Sequence, residues 1–96
     1  MEVIFEIEDK NGRKIHLSKE RWGGHIKLEH SDIEVDEIES TLKNPDNIIE
    51  IKEDVYHYYK YFKHRNSKSK YLKIIVKYLN GKGFVVTAYY VKAIRK

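Results

Sequence analysis

The sequence predicts an α+β fold in which an N-terminal β-hairpin and two helices precede a four-stranded antiparallel β-meander. Three observations favour this class. Apolar and polar residues alternate in two short segments within residues 1–17, helical spacing follows in residues 18–44, and alternation returns in residues 47–91. A run of helices followed by a run of strands is typical of α+β domains, with the helices packed on one face of the sheet. We therefore expect one domain spanning residues 1–96.

The N-terminal hairpin is predicted from two short alternating segments and the turn between them. Residues 2–8 place Val3, Phe5 and Ile7 on one face, which indicates a strand with one buried side. Asn-Gly at the end of residues 9–12 is a strong hairpin-turn signal, and residues 14–17 return as the second strand.

The first helix is predicted from about residue 19 to residue 30, with Ser18 as its N-cap. Trp22 and Ile26 lie four residues apart, so we expect them to dock the helix on the sheet. Gly23-Gly24 is unusual, because each glycine costs about 1 kcal/mol relative to alanine inside a helix. The pair either permits close approach of a strand or ligand, or places the start of the helix after it.

A second helix is predicted from Val35 or Asp36 to Lys43, where acidic residues in the first turn favour the helix dipole. Asn44-Pro45-Asp46 ends it. The meander then follows with strands at 47–52, 55–64, 70–79 and 84–91, separated by a turn at 53–54, a polar loop at 65–69 and a turn at 80–83.

The face of the meander that the helices leave free is expected to carry Lys73 and Lys77 on its third strand. On the last strand, alternation predicts Val86 and Ala88 in the core. Thr87 and Tyr89 are then expected to point outward or toward a cleft, whereas the faces of the other tyrosines stay open at this stage.

Charge divides the chain into two unequal parts. Residues 1–54 hold all fifteen acids against eight bases, a formal charge of −7, whereas residues 55–96 hold eleven bases and no acid. All eight tyrosines also lie in residues 55–96. Cations for phosphates interleaved with flat rings for unstacked bases are what an RNA surface needs, so we expect an anionic partner. The alternative is a sheet that uses Tyr for strand propensity and Lys for solubility.

Composition excludes several classes of function. Without cysteine there is no disulfide, thiolate zinc site or cysteine nucleophile, and no segment has the pattern of a membrane span or a signal peptide. We therefore expect a cytoplasmic protein without a membrane partner. His25 and His30 are five residues apart and so lie on different helix faces. We accordingly predict neither a metal nor another cofactor.

Arg21 and His25 are four residues apart and share a helix face. A guanidinium beside an imidazole suits acid–base chemistry on a phosphate. A surface histidine hydrogen-bonded to the sheet is the simpler alternative for His25. Thr87 and Tyr89 could likewise bind a phosphate from the last strand, although Thr is also common in strands for propensity alone.

Three sequence segments occur in an order that resembles a known superfamily of nucleases. The run of residues 20–30 contains the pattern RW…HI…H, residues 38–48 read IESTLKNPDNI, and residues 85–91 read VVTAYYV. This order is similar to phage- and toxin-associated members of the barnase–EndoU–colicin E5/D–RelE (BECR) superfamily of metal-independent RNases. The likeness covers most of residues 18–91 and leaves the hairpin as an addition.

The resemblance implies an endoribonuclease that cleaves RNA through its own 2′-hydroxyl and leaves a 2′,3′-cyclic phosphate. Carried over by position, His25 is the expected base or acid and Arg21 the group that stabilises phosphate charge. Thr87 and Tyr89 would line the site, Tyr89 as proton donor or phosphate ligand. His30 would be a second acid–base residue, or a cap of the helix end. The basic residues expected to contact RNA are Lys27, Lys60, Lys63, Arg65, Lys73 and Lys77.

Two other classes of function remain open on the sequence alone. One is a non-catalytic RNA-binding module that uses the same basic, tyrosine-rich sheet. The other is a protein-interaction domain whose positive sheet meets an acidic partner such as a cognate antitoxin or inhibitor protein. The oligomeric state is expected to be monomer or homodimer, since sheet edges could pair two copies.

Overall fold

A computed structural model of the chain describes residues 2–94, so Met1, Arg95 and Lys96 lie outside the described residues. Two helices cover one face of a six-stranded mixed sheet. The strands are β1 Val3–Glu8, β2 Lys14–Ser18, β3 Asn47–Lys52, β4 Val55–Tyr61, β5 Tyr71–Leu79 and β6 Lys82–Val91.

The predicted α+β class is confirmed, but the sheet has six strands rather than four. Its order is β1-β2-β6-β5-β4-β3, because β2 pairs in parallel with β6 and joins the hairpin to the meander. The pairing joins Ile15 to Gly83 and His16 to Phe84. Glycine is needed at the junction, since a Cβ on Gly83 would lie only 2.8 Å from a ring carbon of Tyr78. The hairpin is therefore part of the sheet and not an addition to it.

The first helix occupies residues 19–29 and changes form in its middle. Its central turn, Trp22–Ile26, is π-helical, with α-helical turns on either side. Ser18 caps it as predicted, since its Oγ accepts the backbone N–H of Arg21 at 3.0 Å. Ile26 is fully buried and Trp22 packs against the same core, which confirms the predicted docking face.

The two glycines of the first helix lie inside its π-helical turn. The helix therefore does not begin after them. A Cβ on Gly23 or Gly24 would meet no atom within 4 Å, so no strand approaches them either. Both are exposed, and they leave bare backbone on the surface of the helix.

The second helix spans Val35–Lys43, as predicted. Glu34 and Glu37 form a capping box at its start, with the Glu34 N–H donating to Glu37 Oε1 at 2.9 Å. Ile38 and Leu42 are fully buried and pack on the sheet within the main apolar core.

A β-bulge in β6 corrects the predicted core face of the last strand. The register with β5 shifts between Ile75 and Val76, so β6 holds one extra residue there. Val85 is 3% exposed and Ala88 is fully buried, whereas Val86 is only half-buried. The prediction of Val86 in the core is wrong because a bulge reverses the alternation of side chains.

The strand predicted at residues 55–64 is shorter in the structure, because β4 ends at Tyr61. Residues 62–70 form the following loop, which two side chains brace. Lys70 Nζ donates to the carbonyl oxygen of Lys63 at 3.2 Å. Arg65 donates to the carbonyl oxygen of Ser69 at 3.0 Å and to the Asp32 carboxylate at 2.8 Å.

A buried polar cluster fastens the hairpin turn to the meander. The Tyr58 hydroxyl donates to Asp9 Oδ2 at 2.5 Å, and the Tyr78 hydroxyl lies 2.6 Å from that of Tyr58. The backbone N–H groups of Asn11 and Arg13 donate to Asp9 Oδ1 at 2.9 and 2.8 Å. The Arg13 guanidinium covers the Tyr78 ring, with 4.1 Å from Cζ to the ring centroid. We call Asp9, Arg13, Tyr58 and Tyr78 the hairpin clasp.

The hairpin clasp holds Asp9 as a carboxylate. Burial raises the pKa of Asp9, but hydrogen bonds from Tyr58 and from the backbone of Arg13 and Asn11 outweigh it, so the pKa lies below its usual value. Burial also raises the pKa of Tyr58, and it raises that of Tyr78 to about 12. Both tyrosines are therefore neutral donors at physiological pH.

Within residues 2–94, no helix combines the length and the apolar composition needed to cross a membrane.

Candidate functional site

The sheet surface away from the two helices, which we call the open face, displays the alternate side chains of the central strands. Leu72, Ile74 and Val76 of β5 are buried on the helix side, whereas Lys73 is half-buried and Lys77 exposed on the open face. Cross-strand register then defines two neighbouring rows, Tyr59–Lys73–Tyr89 and His57–Ile75–Thr87.

The end of the first helix reaches these rows at the edge of β6. Beyond Phe84, β6 has no pairing with β2, and the first helix packs against β6 instead. The ring of His30 therefore stacks on that of Tyr89, with centroids 5.5 Å apart. Lys73 Nζ lies 5.3 Å from the centroid of the same Tyr89 ring. We call His30, His57, Lys73 and Tyr89 the central cluster.

The pKa of His57 lies below its usual value. Burial lowers its pKa, and the positive charge of Lys73 lowers it further. The register places His57 diagonally across from Lys73, because Tyr59 pairs with Lys73 and His57 with Ile75. The imidazole is therefore neutral near physiological pH and able to accept a proton.

Tyr59 lies beside His57 on the same face, with ring centroids 6.3 Å apart. Its side chain is fully buried, and its hydroxyl has no hydrogen-bond partner within residues 2–94. Tyr59 and Lys73 line a cavity of about 330 Å³, together with residues 91–93. The central cluster thus borders a cavity that is also lined by Tyr59, a buried residue whose hydroxyl is unsatisfied within residues 2–94.

Arg21 and His25, which the sequence singles out, lie together on the first helix. Both line a cavity of about 350 Å³ with Ser18, Glu20 and Gly24. His25 Nε2 lies 3.3 Å from Glu29 Oε1, and its side chain is 37% exposed. The ring that stacks on Tyr89 is that of His30, at the end of this helix, and not that of His25.

Thr87 and Tyr89 share the open face, as expected from the alternation of the last strand. Thr87 is half-buried and sits opposite Ile75, one row from Lys73. Tyr89 sits opposite Lys73 itself. The structure therefore brings Tyr89, His30 and Lys73 together and places Thr87 in the adjacent row.

The six basic residues expected to contact RNA divide between the two sides of the sheet. Lys73 and Lys77 lie on the open face, and Lys63 is exposed in the loop after β4. The other three make contacts within the chain on the helix side. Lys27 donates to the Ser31 carbonyl at 3.2 Å, Lys60 to the Asn44 carbonyl at 3.0 Å, and Arg65 to Asp32 at 2.8 Å.

The eight tyrosines divide evenly between the two faces, which the sequence left open. The helix side holds Tyr56, Tyr58, Tyr78 and Tyr90, whereas the open face holds Tyr59, Tyr61, Tyr71 and Tyr89.

His57 and Tyr59 are residues of the candidate site that the sequence analysis did not single out. The sequence nevertheless indicated that the two residues share a face, because alternation along β4 places Val55, His57 and Tyr59 on the same side of the strand. Deciding that this is the open face requires the pairing of His57 with Ile75, which depends on the length of the loop at residues 62–70.

Comparison with known proteins gives one match. A family model described as a domain of unknown function, DUF4258, matches residues 25–90, which is 66 of the 96 residues. No curated protein and no solved structure matches the chain. Every member of the central cluster falls inside the matched segment, whereas Arg21 and the hairpin precede it. By this match over most of its length, the chain belongs to the DUF4258 family.

Proposed function

We propose that the protein is a metal-independent endoribonuclease whose reaction centre is the central cluster on the open face of the sheet. The observation that carries this proposal is the position of Lys73, whose charge acts on the His57 imidazole and whose Nζ lies over the Tyr89 ring beside His30. A cation flanked by two imidazoles supplies the kinds of group that RNA transphosphorylation needs.

In this reaction the 2′-oxygen of RNA attacks the adjacent phosphorus, and the bond from phosphorus to the 5′-oxygen breaks. The products are a 2′,3′-cyclic phosphate and a free 5′-hydroxyl. A base takes the proton from the 2′-hydroxyl, and an acid gives one to the departing 5′-oxygen. Negative charge builds up on the phosphate oxygens between the two steps, so a nearby cation lowers the barrier.

We assign the base to His57, because its lowered pKa keeps the imidazole neutral at physiological pH. Lys73 stabilises the charge on the phosphate. His30 or Tyr89 serves as the acid. Tyr89 pairs with Lys73 from β6, the strand on the other side of β5 from His57, and the ring of His30 stacks on that of Tyr89. Arg21 and His25 of the first helix lie outside this centre, and Arg21 takes part in RNA binding.

The similarity of sequence segments to the BECR superfamily supports the same reaction class. The acid-free composition of residues 55–96 supports RNA as the substrate, and it is also compatible with an acidic antitoxin or inhibitor that covers the open face.

A non-catalytic RNA-binding module is the second candidate function. Three of the four tyrosines on the open face are exposed or half-buried, and they include the paired rings of Tyr61 and Tyr71 with centroids 5.1 Å apart, which favours this function. Such rings stack on bases without any chemistry.

The deciding experiment is cleavage of a defined single-stranded RNA in EDTA, with the product ends identified by mass spectrometry. We expect 2′,3′-cyclic phosphate ends. His57→Gln and Lys73→Gln should each reduce the cleavage rate by about 10²–10⁴-fold, the usual contribution of one acid–base or charge-stabilising group. His64→Gln, which changes an exposed loop histidine, is the matched control and should leave the rate unchanged.

Two further outcomes separate the alternatives. His25→Ala should lower the rate far less than His57→Gln, and the opposite order would move the centre to the first helix. Salt-sensitive binding of RNA without any cleavage would establish the binding module instead. Failure to bind RNA even at low salt would reject both.

A further inference from the structure

A separate cavity on the open face lies where β2 meets β6. It has a volume of about 230 Å³, and the side chains of Arg21 and Lys77 line it together with those of His16 and Phe84. Arg21 comes from the first turn of the first helix and Lys77 from β5, so residues far apart in sequence bring two cations to one place.

The two cations of this cavity have no ion-pair partner among residues 2–94. The side chains of Arg21 and Lys77 are both exposed. The backbone of Arg21 is nevertheless fixed, because its N–H bonds to the Ser18 cap. The Arg21 guanidinium, whose backbone is fixed, and the flexible Lys77 ammonium can together bind the oxygens of one phosphate group.

The aromatic side of this cavity is also fixed. His16 stacks on Phe84, with centroids 5.5 Å apart and planes inclined by 20°. Both ring nitrogens of His16 have partners, since Nε2 pairs with Glu6 and Nδ1 lies 3.3 Å from the Gly83 carbonyl oxygen. Phe84 is only half-buried, which leaves part of this flat surface open beside the two cations.

We propose that this cavity is a nucleotide subsite, in which Arg21 and Lys77 share one phosphate of single-stranded RNA and the His16–Phe84 stack carries a base. This proposal rests on the proposed function, because the RNA bound here is the same strand that reaches the central cluster. Lys73 and Lys77 are four residues apart on one face of β5, about 13 Å in an extended strand. The subsite therefore binds RNA beside the reaction centre and performs no chemistry.

The N-terminal hairpin and the first helical turn supply part of this subsite, ahead of the segment that the family model matches. His16, Ser18 and Arg21 all precede residue 25, where the family match begins, whereas the central cluster lies within the match. The parallel pairing of β2 with β6 is what brings these residues to Lys77 and Phe84. The hairpin thus extends the RNA-binding surface along the sheet.

The test measures binding of a short 2′-O-methyl oligouridylate, which lacks the attacking hydroxyl and so reports affinity whether or not the protein cleaves RNA. Affinity is determined by fluorescence anisotropy over a series of salt concentrations. Arg21→Gln, Lys77→Gln and the double variant are compared with Lys10→Gln, which removes an exposed cation at the hairpin turn. Melting curves establish that each variant is folded.

We expect the double variant to reduce the slope of log affinity against log salt by about 0.7, the value for one phosphate contact on a single strand. Each single variant should reduce the slope by less than this, because the remaining cation still contacts the shared phosphate. Lys10→Gln should leave the slope unchanged. An unchanged slope in the double variant, or a loss of about 1.4, would overturn the shared phosphate.

The base-stacking half of the proposal is tested by Phe84→Leu, which keeps an apolar side chain beside His16. We expect an affinity loss of about five- to a hundredfold, with the salt slope unchanged, as for one lost base–aromatic stack. Affinity equal to that of the unmodified protein would refute the stack. These binding measurements do not depend on cleavage, so failure of the ribonuclease proposal can be distinguished from failure of the subsite proposal.

Discussion

Replacing Asp9 with asparagine tests whether the hairpin clasp stabilises the fold through its charge. The Asp9 carboxylate accepts bonds from the Tyr58 hydroxyl and from the backbone of Asn11 and Arg13, at 2.5, 2.9 and 2.8 Å. Each of the three donors bonds more strongly to a carboxylate than to a neutral amide, by about 1 kcal/mol. The smaller desolvation of an amide offsets part of that total, so we expect Asp9→Asn to lower the free energy of unfolding by about 2 kcal/mol.

The assay is urea denaturation at neutral pH, supported by thermal melting, where 2 kcal/mol corresponds to a decrease in Tm of about 8–16 °C for a domain of this size. Asp46→Asn is the matched control, because Asp46 is exposed and accepts one backbone N–H, that of Tyr61 at 2.7 Å. It should lower the free energy of unfolding by no more than about 1 kcal/mol.

The pH dependence gives a second test of the same reasoning. The folded-state pKa of Asp9 lies below the unfolded value of 3.8. The carboxylate therefore contributes its full stability above that value and loses it as the pH falls through the folded pKa. The stability difference between the unmodified protein and Asp9→Asn should accordingly be constant near neutrality and shrink below about pH 4. Equal stability of the two proteins at neutral pH, or a difference that persists in strong acid, would refute the role of the charge.

Four other outcomes follow from the structure. Gly83→Ala should destabilise the fold by about 1–3 kcal/mol, because its methyl group would lie 2.8 Å from a ring carbon of the core residue Tyr78. Gly24→Ala should stabilise the fold by up to about 1 kcal/mol, since the added methyl group would meet no atom within 4 Å. Urea titrations measure both changes in the free energy of unfolding. Arg65→Lys should lower the unfolding free energy by about 1–2 kcal/mol, because lysine cannot bond to the Asp32 carboxylate and stack 3.4 Å above the Tyr90 ring together. Lys73→Gln should raise the pKa of His57 in an NMR titration, because the positive charge that now lowers it is removed, and an unchanged pKa would contradict that coupling.

Local patterns in the sequence were sufficient for most individual elements. The Asn-Gly turn, the Ser18 cap and the alternation after Pro45 each depend on residues close in sequence, and the two helices and all six strands occur where these signals predict them. The π-helical form of Trp22–Ile26 was not predicted, since periodicity does not distinguish it from an α-helix around two glycines.

The arrangement of the elements could be predicted less well from the sequence, because it depends on contacts between residues that are distant in the chain. Nothing in residues 14–18 alone indicates that β2 pairs in parallel with β6. The bulge at Val86 likewise depends on how β6 fits against β5.

The candidate site depends on both local patterns and the arrangement of the strands. Lys73, Lys77, Thr87 and Tyr89 were predicted on one face by alternation within single strands, and the structure places them there. His57 joins them only through the register between β4 and β5. The assignment of acid–base roles to particular histidines, and the ribonuclease activity itself, stay predictions.

The parallel pairing of β2 with β6 also has a consequence for the order in which the chain can fold. The hairpin can form as soon as residue 18 has been synthesised, but its partners Gly83 and Phe84 come more than sixty residues later. Until then, the strand edge of β2 and the carboxylate of Asp9 have no partners on the meander. Closure of this long-range contact is therefore expected to be a late and slow step. Until it occurs, the unpaired edge of β2 is open to mispairing with another chain.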